Sequence, residues 1–76
     1  MAEIVITRDG LERLSAELEM LTTDGRREIA DRLRHAAAGE PNHSESAEYL
    51  DAREHQAMLE RRIALLQERL RSAQVV

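Results

Sequence analysis

Two ladders of aliphatic residues, separated by one short polar stretch, leave this chain few folds to choose from. Leu11, Leu14, Leu18 and Leu21 step by 3, 4 and 3 residues, and Leu59, Ile63, Leu66, Leu70 and Ala73 step by 4, 3, 4 and 3. Such spacing puts one narrow apolar stripe on one side of a helix. Between the ladders lies Gly39-Glu40-Pro41-Asn42-His43-Ser44. The pattern predicts an all-α fold, a long antiparallel helical hairpin forming a two-stranded coiled coil with a polar tip at its far end. A hairpin of this kind has almost no interior in which to enclose an active site. Whatever it does, it does with its surface and its tip, so no intrinsic enzyme activity is expected.

Composition narrows the partners. The chain is a single unit of 76 residues with no Cys, Trp or Phe, and Tyr49 is its only aromatic residue. It must bury Leu, Ile, Val, Met and Ala along a thin seam, and short chains bury little surface. Charged residues make up 34% of the chain and the net charge is −4. That disfavours non-specific duplex binding, which wants a basic surface. All eleven basic residues are Arg, whose planar fork suits carboxylates and phosphates, although genomic base composition has the same effect on Lys and Arg usage. No apolar run approaches the ~20 residues of a membrane span, the opening residues are too short and acidic for a signal peptide, and the absence of Cys fits a reducing compartment. A cytoplasmic protein without a membrane partner is expected.

Ile4, Val5 and Ile6 form a brief extended segment, after which Thr7 is placed to cap a helix and Asp9 lies in its first turn. Helix 1 is predicted over about 8–38. Thr22-Thr23-Asp24-Gly25 interrupts it, and the apolar positions Ile29, Leu33 and Ala36 resume one residue out of heptad step. A kink is therefore expected near 22–25. Glu28 with Arg32, and Arg27 with Asp31, are spaced as i,i+4 pairs. Gly39 suits the end of helix 1, and Pro41 blocks its continuation. The tip loop is read as about 39–44. Asn42 and Glu45 resemble a capping box for helix 2, with Ser44 as a competing cap. Helix 2 is expected over about 45–73, roughly 45 Å at 1.5 Å per residue, its seam extending back through Gln56, Ala52 and Tyr49.

The tip gathers Glu40, Asn42, His43, Ser44, Glu45 and Glu48. Carboxylates there could reach a cation held by a partner, since hard cations take oxygen ligands. The same acids would also stabilise the start of helix 2 by capping and by the helix dipole alone. His35, His43 and His55 are too dispersed for a zinc site, and a two-helix arm would not shield a nucleophile. Arg32, Arg34 and Arg53 fall near the tip, as a basic cluster or as a solvated, salt-bridged face.

Ser46-Ala47-Glu48-Tyr49, then Ala52-Arg53-Glu54, the ladder Ile63, Leu66, Leu70, and the close Ser72-Ala73-Gln74-Val75 together resemble the Gre family of bacterial transcription elongation and transcript cleavage factors. Ile6-Thr7, Gly10-Leu11, Leu14, Glu17-Leu18, Leu21 and Arg27-Glu28-Ile29 extend the likeness over essentially the whole chain. The resemblance implies the N-terminal coiled-coil domain of such a factor and bacterial RNA polymerase as partner. It implies that the arm enters the polymerase secondary channel. Acids at the tip then help to hold a catalytic Mg²⁺ shared with the polymerase, and the 3′ end of backtracked RNA is cleaved. No cofactor is implied in isolation. A monomer is expected, with a dimer as the alternative.

Carried over residue by residue, the family tip Gly-Asp-Leu-Ser-Glu-Asn-Ala-Glu-Tyr is matched at Ser44, Glu45, Ala47, Glu48 and Tyr49. Asn42 stands where the metal-binding Asp is expected, His43 replaces Leu and Ser46 replaces Asn, and the segment leading to the tip is about one residue longer. The resemblance implies that Glu45, Asn42, Glu40, Ser44 and Glu48 act inside the polymerase, Glu45 as the Mg²⁺ ligand, and that Arg53, Arg34 and Tyr49 contact polymerase or RNA. Two outcomes stay open for Asn42: Glu40 compensates for the lost charge, or the arm fills the channel without stimulating cleavage, as inhibitory members do. A plain coiled-coil dimerisation module, suggested by Met20, Leu50, Met58 and Leu65 off the seam, is the reading from another class. Gre factors continue into a C-terminal domain that this sequence does not contain.

Overall fold

The structure, a computed structural model, describes residues 4–38 and 46–76. Strand β1 (Ile4–Ile6) leads into α1 (Arg8–Met20), a π-helical segment (Leu21–Gly25) and α2 (Arg26–Ala38); α3 (Ala47–Ser72) returns alongside and ends in β2 (Ala73–Val75). The result is a helical hairpin measuring 54 × 23 × 12 Å, with a two-stranded sheet at its open end.

Thr7 caps α1 as its sequence position suggests. Its backbone is extended, its Oγ1 accepts from the Gly10 N–H at 3.1 Å, and Asp9 sits in the first turn beside the positive end of the helix dipole. Gly10 has a packing reason too: a Cβ there would lie 2.9 Å from Ile6 Cγ1.

At the interruption, where a kink or a short break is expected, the helix runs on through a widened, π-helical turn. The apolar seam needs one extra residue between Leu21 and Ile29, and a π turn takes up one residue more than an α turn. Thr22 Oγ1 donates to the Leu18 carbonyl at 3.0 Å and Thr23 Oγ1 to the Glu19 carbonyl at 2.8 Å. Those hydroxyls satisfy carbonyls in the turn leading into the widened segment. Gly25 permits close packing against α3, since a Cβ there would stand 3.2 Å from Leu59 Cδ1.

The core is a line rather than a ball. Ile29 and Ala36 on α2 and Ala52, Ile63 and Leu66 on α3 are buried, whereas Leu11, Leu14, Leu18 and Leu21 are half-buried. Small residues at Ala36 and Ala52 let α2 and α3 run close together near the tip. Arginines strap the flanks. Arg26 donates through Nε and Nη2 to the two oxygens of Glu60 at 3.0 and 2.8 Å, and Arg62 reaches Glu17 on α1 at 2.9 Å. Exposed pairs of this type add little to stability, because solvent screens them.

The expected i,i+4 pairs do not form. Arg27 pairs with Asp24, Asp31 with Arg34, and Arg32 crosses to Asp51 on α3. Arg32 lies on the flank facing α3, so a carboxylate across the groove competes successfully with Glu28 one turn back.

Sequence reading places an extended segment before α1 but not its partner. Ala73–Val75 pairs with Ile4–Ile6 as a two-stranded parallel sheet, with Ile4 opposite Ala73, Val5 opposite Gln74 and Ile6 opposite Val75. The Val76 N–H donates to the Ile6 carbonyl at 3.0 Å. Helix 2 therefore stops at Ser72, where Ala73 turns extended. Among the described residues no helix is long and apolar enough to cross a membrane.

Candidate functional site: the tip end of the arm

The tip residues Glu40, Asn42, His43, Ser44 and Glu45 lie outside the described residues, as do the helix end expected at Gly39 and the capping box of Asn42 and Glu45. The shoulders of the tip are described. Ser46, with extended backbone, is the N-cap of α3, its Oγ accepting from the Tyr49 N–H at 3.3 Å. The Leu50 N–H bonds the Ser46 carbonyl at 3.0 Å. Three polar residues in alternation, Asn42, Ser44 and Ser46, offer caps of similar quality, and the signal that favours the last is the acid Glu48 two residues beyond it.

Glu48 is exposed in the first turn of α3. Its carboxylate stands by the positive end of the helix dipole. Together with Asp31, Arg32, His35 and Ala52 it lines a groove of about 310 Å³ between α2 and α3. Ala52 forms the apolar floor; the walls carry two carboxylates, a guanidinium and an imidazole. Such a groove is suited to polar contact and does not enclose a reactant.

The arginines take distinct roles. Arg32 Nη2 donates to Asp51 Oδ2 at 3.1 Å, and Nη1 donates to His55 Nδ1, so Arg32 is a clamp between α2 and α3. A guanidinium has no acceptor, so this bond requires the ring nitrogen of His55 to accept. Arg34 turns to Asp31 on its own helix. Arg53 is exposed on α3, and Tyr49 is half-buried beside the cap. The structure thus brings Glu48 together with Asp31, Arg32 and His35, and does not gather Arg32, Arg34 and Arg53 into one basic cluster. The joint contact of Asp51 and His55 with Arg32 escaped the sequence reading because it appears only when two helices 19 or more residues apart in sequence are juxtaposed.

The comparisons with known proteins bear on this arm directly. Residues 4–75 match the family model described as "Transcription elongation factor, N-terminal". The transcription elongation factor GreA of Roseiflexus sp. (strain RS-1) is 51% identical over 71 residues, 93% of this chain and 45% of that protein. GreA of Chloroflexus aurantiacus (strain J-10-fl) is 51% identical over 72 residues, with the same coverage of each. GreA of Acetivibrio thermocellus is 42% identical over 74 residues, 97% of this chain and 46% of that protein. The chain thus spans about half the length of the curated relatives it matches. With a match running from the first strand to the last, this chain belongs to the family of GreA/GreB transcription elongation factor N-terminal domains.

Proposed function

We propose that this domain works on bacterial RNA polymerase as the arm of a Gre-type elongation factor. It enters the secondary channel and presents its tip to the polymerase's reaction centre, so that elongation and the cleavage of backtracked transcripts are modulated. The observation that carries this reading is the family match over residues 4–75 on a rod 54 Å long and 12 Å across its thinnest dimension. A rod of that shape reaches into a narrow passage, and a compact domain of equal mass does not.

The chain is here a donor of ligands, and the polymerase is the enzyme. Glu40, Glu45 and Glu48 offer carboxylate oxygens, and Asn42 and Ser44 neutral oxygens, a donor set suited to a hard cation. Among the described residues no group of three His, Asp or Glu side chains converges to hold a metal. Glu48 stands exposed at the shoulder, open to an ion held by another protein. Mg²⁺ supplied in that way activates water and stabilises charge in phosphoryl transfer. The part of this chain is to place Glu45 and its neighbours and to orient them. Arg53, exposed on the same helix two turns in, meets phosphate or polymerase; Arg34 does so with the N–H groups that Asp31 leaves over, and Tyr49 packs at the base of the tip.

The test is cleavage of the transcript in stalled, backtracked polymerase complexes. The chain, added at increasing concentration, is expected to accelerate shortening of the RNA from its 3′ end, and Glu45→Ala to remove that effect without loss of helicity. If neither cleavage nor elongation rate responds, the reading fails.

A further inference from the structure

The seam of α3 runs through Ala52, Ile63 and Leu66, all buried. At 100° per residue, Leu50, Glu54, Ala57, Arg61 and Leu65 fall on the opposite side, with Met58 on their flank. Leu50 and Met58 are each 54% exposed and Leu65 42%. Scattered apolar residues on a surface are ordinary. These, however, follow a second coiled-coil spacing on the solvent side of a helix that already spends its first on the hairpin.

The order of that row is self-complementary. It reads apolar, acid, apolar pair, base, apolar: Leu50, Glu54, Ala57 with Met58, Arg61, Leu65. Turned end for end about the midpoint between Ala57 and Met58, it falls on itself with Leu50 against Leu65, Ala57 against Met58 and Glu54 against Arg61. A parallel, in-register pair would instead set Glu54 on Glu54 and Arg61 on Arg61. Glu54 and Arg61 are both exposed, and neither has an ion pair among the described residues. They stand about 10 Å apart along one helix, too far to satisfy each other.

We propose that this back face of α3 is a self-association surface. Two copies pair antiparallel through it about a two-fold axis between Ala57 and Met58. The interface is isologous, each copy giving the same patch, and Glu54 bonds Arg61 of the second copy twice over. The contact is one helix wide and shorter than a standard interface, so the dimer is weak and depends on concentration. A pair has double the girth of one arm and does not fit a passage that admits a single arm; this consequence, unlike the pairing, rests on the function proposed above.

Sedimentation equilibrium of the 76-residue chain, 8.7 kDa, tests it. The apparent mass is expected to climb towards two chains between about 0.05 and 1 mM. Glu54→Arg or Arg61→Glu alone shifts the midpoint at least tenfold upward, and the double swap restores it. Register is read by cross-linking, which the absence of native Cys makes clean. Ala57→Cys is joined by a short bis-maleimide reagent. Ala64→Cys is not, because its counterpart lies about 20 Å away along the axis. Circular dichroism confirms that each variant is helical. A monomer at every concentration, equal cross-linking at both positions, or a double swap that fails to restore pairing overturns the proposal. So does a monomer whose single swaps weaken association with bacterial RNA polymerase, since the face then belongs to that contact.

Discussion

Asn42 offers a neutral amide oxygen where the resemblance implies a carboxylate, and an amide attracts Mg²⁺ less strongly than a charged ligand does. If cleavage runs through the tip, Asn42→Asp is expected to raise stimulation of transcript cleavage by about tenfold, the scale on which changes around a metal site act. Rates of RNA shortening in backtracked complexes measure it; no change would show that Glu40 already supplies the charge. A second residue-scale effect concerns pH. The hydrogen bond from Arg26 holds the Glu60 carboxyl below the usual carboxylate range and raises the Arg26 guanidinium. A lowered carboxyl pKa means that the folded state favours the charged form. The pair's contribution is complete above the unfolded carboxyl pKa of about 4.3 and is lost as pH falls through the lowered folded value. Both side chains are about half-exposed, so solvent screening keeps the effect small. Glu60→Gln is expected to flatten the acid limb of stability below about pH 5, read from thermal melts between neutral and acid pH, and to leave the remaining profile unchanged.

At the scale of elements, the decisive contact is the close approach of α2 and α3 near the tip. Ala52 is 1% exposed and Ala36 4%, so there is no room for a longer side chain between the helices. Ala52→Leu is expected to cost about 1–3 kcal/mol by forcing them apart, seen as a lower Tm and weaker hydrogen-exchange protection in α2. The helices were legible in the sequence because the Leu11–Leu21 and Leu59–Leu70 periodicities report a buried stripe directly. The disturbance at Thr22–Gly25 was legible as a slip of one residue. Its form was not, because periodicity records the slip and leaves open whether a bend or a π turn absorbs it. Arg27 and Asp31 took i,i+3 partners on their own segment instead of the i,i+4 ones, and the partner of Arg32 was illegible for a related reason. A local i,i+4 rule cannot weigh carboxylates such as Asp51 that arrive from the opposite helix. At the tip the polar composition was plain and the cap was not, since Asn42, Ser44 and Ser46 compete on nearly equal chemistry. The β1–β2 pairing left no local trace: Ala73-Gln74-Val75 continues the helix-2 ladder by spacing, yet it is extended and pairs with Ile4–Ile6.

At the scale of the whole molecule, those two strands fasten the open end of the hairpin by joining residues about 70 positions apart. In a parallel ladder alternate N–H groups point the same way, so Gln74, like Val76, turns its N–H towards β1. Gln74→Pro removes that donor and is expected to lower the Tm by several degrees and to speed amide exchange at the first turn of α1 and the last of α3. Unchanged exchange there would mean that packing between Ile6 and Gly10 alone holds the end. The fastening has a mechanical corollary. Because both chain segments are clamped together at one extremity, the rod swings from that root as a single lever, and angular play at the pivot is magnified with length. A tilt of about 5° at the root carries a point 54 Å away through about 5 Å. On the function proposed above, accuracy at the acidic extremity is therefore decided at the opposite pole, by six residues of sheet.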